Sequence, residues 1–273
     1  MKNVKYKILV LSDLRKSSEN ILKNTAALAR TIGGEIRLLH IKRPLSVVKH
    51  ENQLSAVRSI NDSYTATKKQ IQGLVQPISE AYGVKIEADF TVGNVKEGLK
   101  KHIDAFRPDI VVMGQRKSTP INPLGDRIAK YIMSTFEGVV MIASHHHTLE
   151  TDHNLSLGMF NGTKESLNAD LLKELVARST QPITSFKIAQ RRKTLVQQEV
   201  ASDKNIVEYT FEQQDNVIDN MSRYLSKIGV DVLFVDTEDA AQTNINVKDV
   251  IGKFNVPLLL AGASKSNYRN TLN

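Results

Sequence analysis

Cysteine is absent from all 273 residues. That excludes a disulfide framework, a thiolate nucleophile and a zinc site built on sulfur, and it agrees with a cytoplasmic setting. No apolar run approaches the ~20 residues that span a bilayer, so a membrane is not an expected partner. The basic start, Met1 to Lys7, leads straight into a strand-like run and lacks the core and cleavage site of a signal peptide. Aromatic residues make up only 5%. They do not interleave with Lys/Arg blocks as base stacking would need, so nucleic acid is not expected either. No Ser/His/Asp order, nucleophile elbow or Walker loop is present.

What remains is a chain that is 41% hydrophobic and free of low-complexity tracts, long enough for one large domain or two of ordinary size. Its net charge of +8 is unevenly spread. Residues 1–144 hold 23 Lys/Arg against 13 Asp/Glu, a balance of +10, and residues 145–273 hold 14 against 16, a balance of −2. A basic first half can attract nucleotides or an acidic protein, although a solvated surface is the plainer reading.

Lys7 to Ser12 is a short branched apolar run, read as a buried strand that ends at Asp13. Ser17 or Ser18 can cap a helix carrying Ile21, Leu22, Ala26, Leu28 and Ala29, and Gly33-Gly34 stops it. Glu35 to Ile41 is the second strand, so the first unit is βαβ with parallel strands. Pro44 to Asn61 reads as irregular with some helix. A second helix is expected from about Tyr64 to Tyr82, kinked at Pro77, with Ile71, Leu74, Val75, Ile78 and Ala81 on one face. Val84 to Phe90 is a strand. Asn94 caps a helix over Val95 to Ala105, in which Val95, Leu99, His102 and Ile103 face inward. Ile110 to Met113, a helix containing Ile128, Ile132 and Met133, and the strand Val139 to Ala143 complete the unit.

The pattern then recurs. Leu155 to Phe160 is strand-like, Asn161 stands where Asp13 stood, and Glu165 to Arg178 is helical. Asn94-Val95 and Asp109-Ile-Val-Val return 122 residues later as Asn216-Val217 and Asp231-Val-Leu-Phe. The offset shrinks between the second and third strands, so the second copy has lost most of its long second helix. The expected organisation is residues 1–144, a linker over 145–153, and an abridged copy over 154–273. Each copy reads as a doubly wound α/β domain on a five-stranded parallel sheet, Rossmann-like in kind. The fifth-strand runs of the two copies are Val139 to Ala143 and Val256 to Ala261. Pairing of whole chains into a homodimer stays open.

In such sheets ligands sit beyond the carboxyl ends of the strands at the switch point, which groups Asp13, Ile41 and Gly114. The stretch Asp109 to Ile128 carries strand, glycine, loop and helix start in that order, with Arg116, Lys117 and Arg127 in or beside the loop. Free N–H groups at a helix start favour an anion there. His145-His146-His147 with His153 is the densest histidine cluster. His145 and His147 could share a metal ion on an extended segment, but solvated linker histidines are the plainer reading. His40 and His102 sit on apolar patterns and read as packed.

The chain resembles the universal stress protein family in its tandem form. The resemblance rests on Ile8-Leu-Val-Leu-Ser-Asp13, on Ala27 to Ile41 and on Pro108-Asp-Ile-Val-Val-Met-Gly114. In the second half it rests on Val230 to Asp236 and Val256 to Ala261. It implies the adenine nucleotide alpha hydrolase-like fold, a crevice for ATP or another adenine nucleotide, and pairing of the two copies through their fifth-strand runs into an internal pseudo-dimer. ATP-binding members carry Gly, two residues, Gly, nine residues, Gly, then Ser or Thr. Here Gly114 matches, but Lys117 replaces the second glycine, Gly125 follows after seven residues, and Asp126 replaces the hydroxyl residue. Asp126 sets a carboxylate beside the expected triphosphate, and like charges at ~4 Å repel by ~4 kcal/mol at an effective dielectric near 20. The second half has Asp236-Thr-Glu-Asp239 in the corresponding place, which implies no nucleotide there. The resemblance thus implies a non-enzymatic stress-response protein acting through protein contacts, with a weakened or lost ATP site. The alternative is an adenine-nucleotide switch that uses Asp13, Ile41, Gly114, Arg116 and Lys117, and a weak ATPase is a third reading.

Overall fold

The computed structural model describes residues 5–44, 53–115, 127–145, 147–149, 155–162, 170–179, 181–189, 206–212, 216–237 and 247–261. The first half runs β1 (Tyr6–Leu11), α1 (Ser18–Ile32), β2 (Gly34–Lys42), α2 (Gln53–Tyr82), β3 (Ile86–Val92), α3 (Val95–Phe106), β4 (Ile110–Gly114), α4 (Arg127–Thr135) and β5 (Val139–Ala143). The second half runs β6 (Leu157–Phe160), α5 (Asp170–Arg178), β7 (Ile183–Ala189), β8 (Ile206–Glu212), α6 (Val217–Ile228), β9 (Val232–Asp236), α7 (Val247–Lys253) and β10 (Leu258–Ala261).

The two five-stranded halves fuse into one ten-stranded sheet of order β3-β2-β1-β4-β5-β10-β9-β6-β7-β8. Within each half the strands are parallel, and the halves join where β5 and β10 pair antiparallel, Met141 opposite Leu259. The central strands are apolar on both faces, as a sheet covered on both sides requires. In β9, Leu233 and Val235 point to one face, while Val232 and Phe234 point to the other. One cluster gathers residues of α3, α4, α6 and α7, the other residues of α1, α2 and α5, and each runs across both halves.

Local chemistry sets most element ends. Asn94 Oδ1 accepts from the Lys96 and Glu97 N–H groups and so caps α3. Gly33 and Gly229 end α1 and α6 at φ of 71° and 69°, a region where Cβ is penalised. The serine expected to cap α1 does not do so: Ser17 makes no side-chain cap bond. Asp13 Oδ1 lies before the helix and accepts from the Arg15 N–H and the Ser18 hydroxyl instead.

Helix α2 departs most from the sequence reading. It starts at Gln53, well before Tyr64, and continues on both sides of Pro77. Val57, Ile60 and Tyr64 keep helical spacing but are half exposed, so none of these three anchors the helix to the core. Ile71 and Ile78 are buried as expected, while Ala81 is exposed.

The halves repeat a backbone clasp. The Lys7 N–H donates to Asp109 Oδ2 while the Asp109 N–H donates to the Lys7 carbonyl. Ser156 and Asp231 make the same exchange. At the other end of these strands the Ser12 N–H donates to the Leu39 carbonyl, and the Asn161 N–H to that of Phe186. Asn161 is therefore the counterpart of Ser12, and Gly162 that of Asp13. The expected match of Asn161 to Asp13 is off by one. The abridgement lies between β7 and β8, where residues 190–205 are too few for a helix as long as α2.

Candidate functional site

A cavity of about 830 Å³ opens beyond the carboxyl ends of β1, β2 and β4. Asp13, Ile41 and Gly114 all line it, as the switch-point argument requires. Leu11, Leu39 and Met113 lie along its floor, and Arg15, His40, Arg43, Gln115, His145 and Ile251 also contribute to its lining. Arg116, Lys117, Gly125 and Asp126 lie outside the described residues, while Arg127 begins α4.

Each lining residue is held by identifiable contacts. Asp13 is fixed by its bonds to Arg15 and Ser18, with Arg15 Nε 3.7 Å from Oδ2. Ile41 packs against α3 at Gly98, where an added Cβ would come within 3.0 Å of Ile41 Cδ1. A Cβ on Gly114 would collide with Ile21 Cδ1 and reach 3.2 Å from His145 Cε1. Gly114 is thus required by the close approach of α1 and the linker, a need separate from any phosphate.

His40, His102 and His145 each bond a backbone carbonyl. His40 donates from Nδ1 to the Ser12 carbonyl at 2.8 Å and stacks on Phe90. His102 donates from Nδ1 to the Gly98 carbonyl, with Nε2 3.9 Å from Asp89. The expected linker is fastened at its start. The Gln115 carbonyl accepts from His145 Nε2, and His147 Nε2 lies 3.5 Å from Asp231 Oδ1 without hydrogen-bond geometry. His146 and His153 lie outside the described residues. Among the described residues no group of three His, Asp or Glu side chains could hold a metal ion.

The equivalent place in the second half is built differently. The clasp registers put Phe160 where Leu11 stands and Phe186 where Leu39 stands, and Asp236 replaces Gly114. Both phenylalanines are fully buried. Phe160 meets Phe254 edge-on at 6.1 Å, and Phe186 stacks on Tyr209. Rings stand at the positions that Leu11 and Leu39 hold in the first half, and a carboxylate ends the strand. Sequence reasoning found the carboxylates there but missed the rings, because their register became visible only through the β6–β7 pairing.

Residues 6–143 match the universal stress protein family. The whole fold is similar to that of a universal stress protein from Archaeoglobus fulgidus DSM 4304, with a TM-score of 0.69 and 13% identity over 95% of this chain and 97% of that one. It is also similar to a functionally unknown protein from Pseudomonas aeruginosa PAO1, with a TM-score of 0.55 and 10% identity over 99% and 96%. Likeness at such identity is a likeness of fold. No curated protein matches the sequence. Among the described residues no helix is long and apolar enough to cross a membrane.

Proposed function

The chain belongs to the universal stress protein family, its match covering half of the sequence, and on that premise we propose that it is a non-enzymatic stress-response protein of the cytoplasm with one nucleotide crevice, in its first half. That crevice keeps the nucleoside end of an adenine-nucleotide site and has lost strength at the phosphate end. The observation that carries the reading is the contrast between halves: Asp13, Ile41 and Gly114 share an open cavity, while Phe160, Phe186 and Asp236 occupy the matching place. Lys117 in place of glycine and Asp126 in place of a hydroxyl residue support weak retention of a triphosphate. The basic first half supports an acidic protein as partner.

The reading gives an order of affinities, with AMP and ADP held at least as well as ATP because repulsion from Asp126 grows with each phosphate. Calorimetric titration of the purified protein tests it. One site per chain with that order is expected. Micromolar ATP binding, steady ATP hydrolysis, or no heat with any of the three would overturn it.

A further inference from the structure

The first-half crevice shares a wall with the second half. Ile251, on α7, lines the cavity together with Gly114, Gln115 and His145. The residues that follow β4 and β5, whose carboxyl ends border the cavity, hold the end of that same helix. Gln115 Nε2 donates to the carbonyls of Ile251 at 2.7 Å and Phe254 at 2.9 Å. Ser144 Oγ donates to the carbonyl of Asn255 at 2.8 Å. A helix leaves its last carbonyls without partners inside the helix, and here the first half supplies donors at this terminus. On its other side α7 is tied to α6, where Ser222 Oγ donates to the Lys253 carbonyl and Lys253 Nζ pairs with Asp219.

Thr237 follows β9 as Gln115 follows β4, but its hydroxyl donates to the Ala261 carbonyl within its own half. At this position the first half reaches the second, while the described counterpart bonds within its own half. Gln115 is also fixed from the crevice side, since its N–H donates to the Ala143 carbonyl and its own carbonyl accepts from His145. Any displacement of Gly114 or His145 by an occupant therefore reaches α7 through two hydrogen bonds and one shared side chain.

We propose that the second half reads the state of the first-half crevice through α7, with Gln115 as the positioning residue and Ile251 as the wall that both share. This rests on the crevice being a ligand site. An occupant that presses on Gly114, His145 and Ile251 tightens α7, and by linkage a loosened α7 weakens the occupant's binding by the same factor.

Hydrogen exchange of residues 247–254, read by mass spectrometry, tests the proposal in wild type and Gln115→Ala, each alone and with millimolar AMP. Without ligand, loss of two helix-end hydrogen bonds should speed exchange there about tenfold and leave β1 to β3 unchanged. With AMP, wild type should slow at 247–254, and the variant should still bind AMP, more weakly, without slowing. If Gln115→Ala does not fold, Gln115→Met keeps the length of the side chain without its donor. AMP binding with unchanged exchange at 247–254 would overturn the inference. So would ligand-free exchange in the variant equal to wild type. If AMP does not bind wild type, the nucleotide reading fails and this inference falls with it, an outcome distinct from binding without slowed exchange.

Discussion

Asn24 is a polar residue with no exposed surface in the middle of α1, and replacing it with leucine should release the linker between the halves. Its Nδ2 donates to the carbonyls of Asn20 at 3.0 Å, Ser144 at 3.2 Å and His147 at 2.9 Å. Its Oδ1 accepts from the Leu149 N–H at 2.8 Å. Leucine has the same branched outline with bulkier ends, so Asn24→Leu removes all of these bonds and adds some overpacking. Ser144 and Leu149 are themselves buried, so a carbonyl and an N–H each lose a hydrogen bond out of reach of water. Each such loss costs roughly 1–3 kcal/mol, and the half-buried His147 carbonyl adds less, giving ~3–5 kcal/mol in all. That is a large share of a typical stability of ~5–15 kcal/mol. Urea unfolding of wild type and variant measures the loss, and limited proteolysis near residue 149 should show faster cutting before global unfolding. Asn24→Asp sharpens the test, because it keeps an acceptor for Leu149 but turns a carboxylate oxygen toward carbonyls, so it should cost at least as much. A loss below ~1 kcal/mol in Asn24→Leu with unchanged cutting would refute the account of the linker as fastened through this side chain.

Three further outcomes follow from other parts of the structure. The double substitution Leu11→Phe with Leu39→Phe copies Phe160 and Phe186 into the first half; it should abolish nucleotide binding in calorimetry while the melting temperature holds or rises, and retained binding would contradict the placing of the site. Ser185 is buried with no hydrogen-bond partner for its hydroxyl among the described residues, so Ser185→Ala should be neutral or stabilising by up to ~1 kcal/mol in urea unfolding. The Lys5 ammonium, hydrogen-bonded to Glu174 across the two halves, holds the Glu174 carboxyl below its ordinary value of 4.5. A lowered folded-state pKa adds stability above the unfolded value and loses it as pH falls through the folded one. Glu174→Gln should therefore remove a small, salt-sensitive part of the acid-side fall in stability, seen in unfolding midpoints from neutral to acid pH.

Period and punctuation in the sequence determined the element types and the fold class. The branched runs at β1, β4 and β9 read as buried strands because both their faces are apolar, and Gly33 and Asn94 mark helix ends by conformation or side-chain chemistry alone. The same signals grouped Asp13, Ile41 and Gly114, because a parallel α/β order dictates which strand ends lie together. Where burial fades the sequence misleads, as at the start of α2, where Val57, Ile60 and Tyr64 are exposed. The tertiary structure alone decided what depends on contacts between distant residues. The antiparallel register in which β5 meets β10, the one-residue shift that puts Asn161 opposite Ser12, and the rings of Phe160 and Phe186 in the second half all follow from strand pairing, which no local pattern encodes. Gln115 is the plainest case. In sequence it is one polar residue after a strand, and only the antiparallel pairing of β5 with β10 brings the end of α7 to its amide.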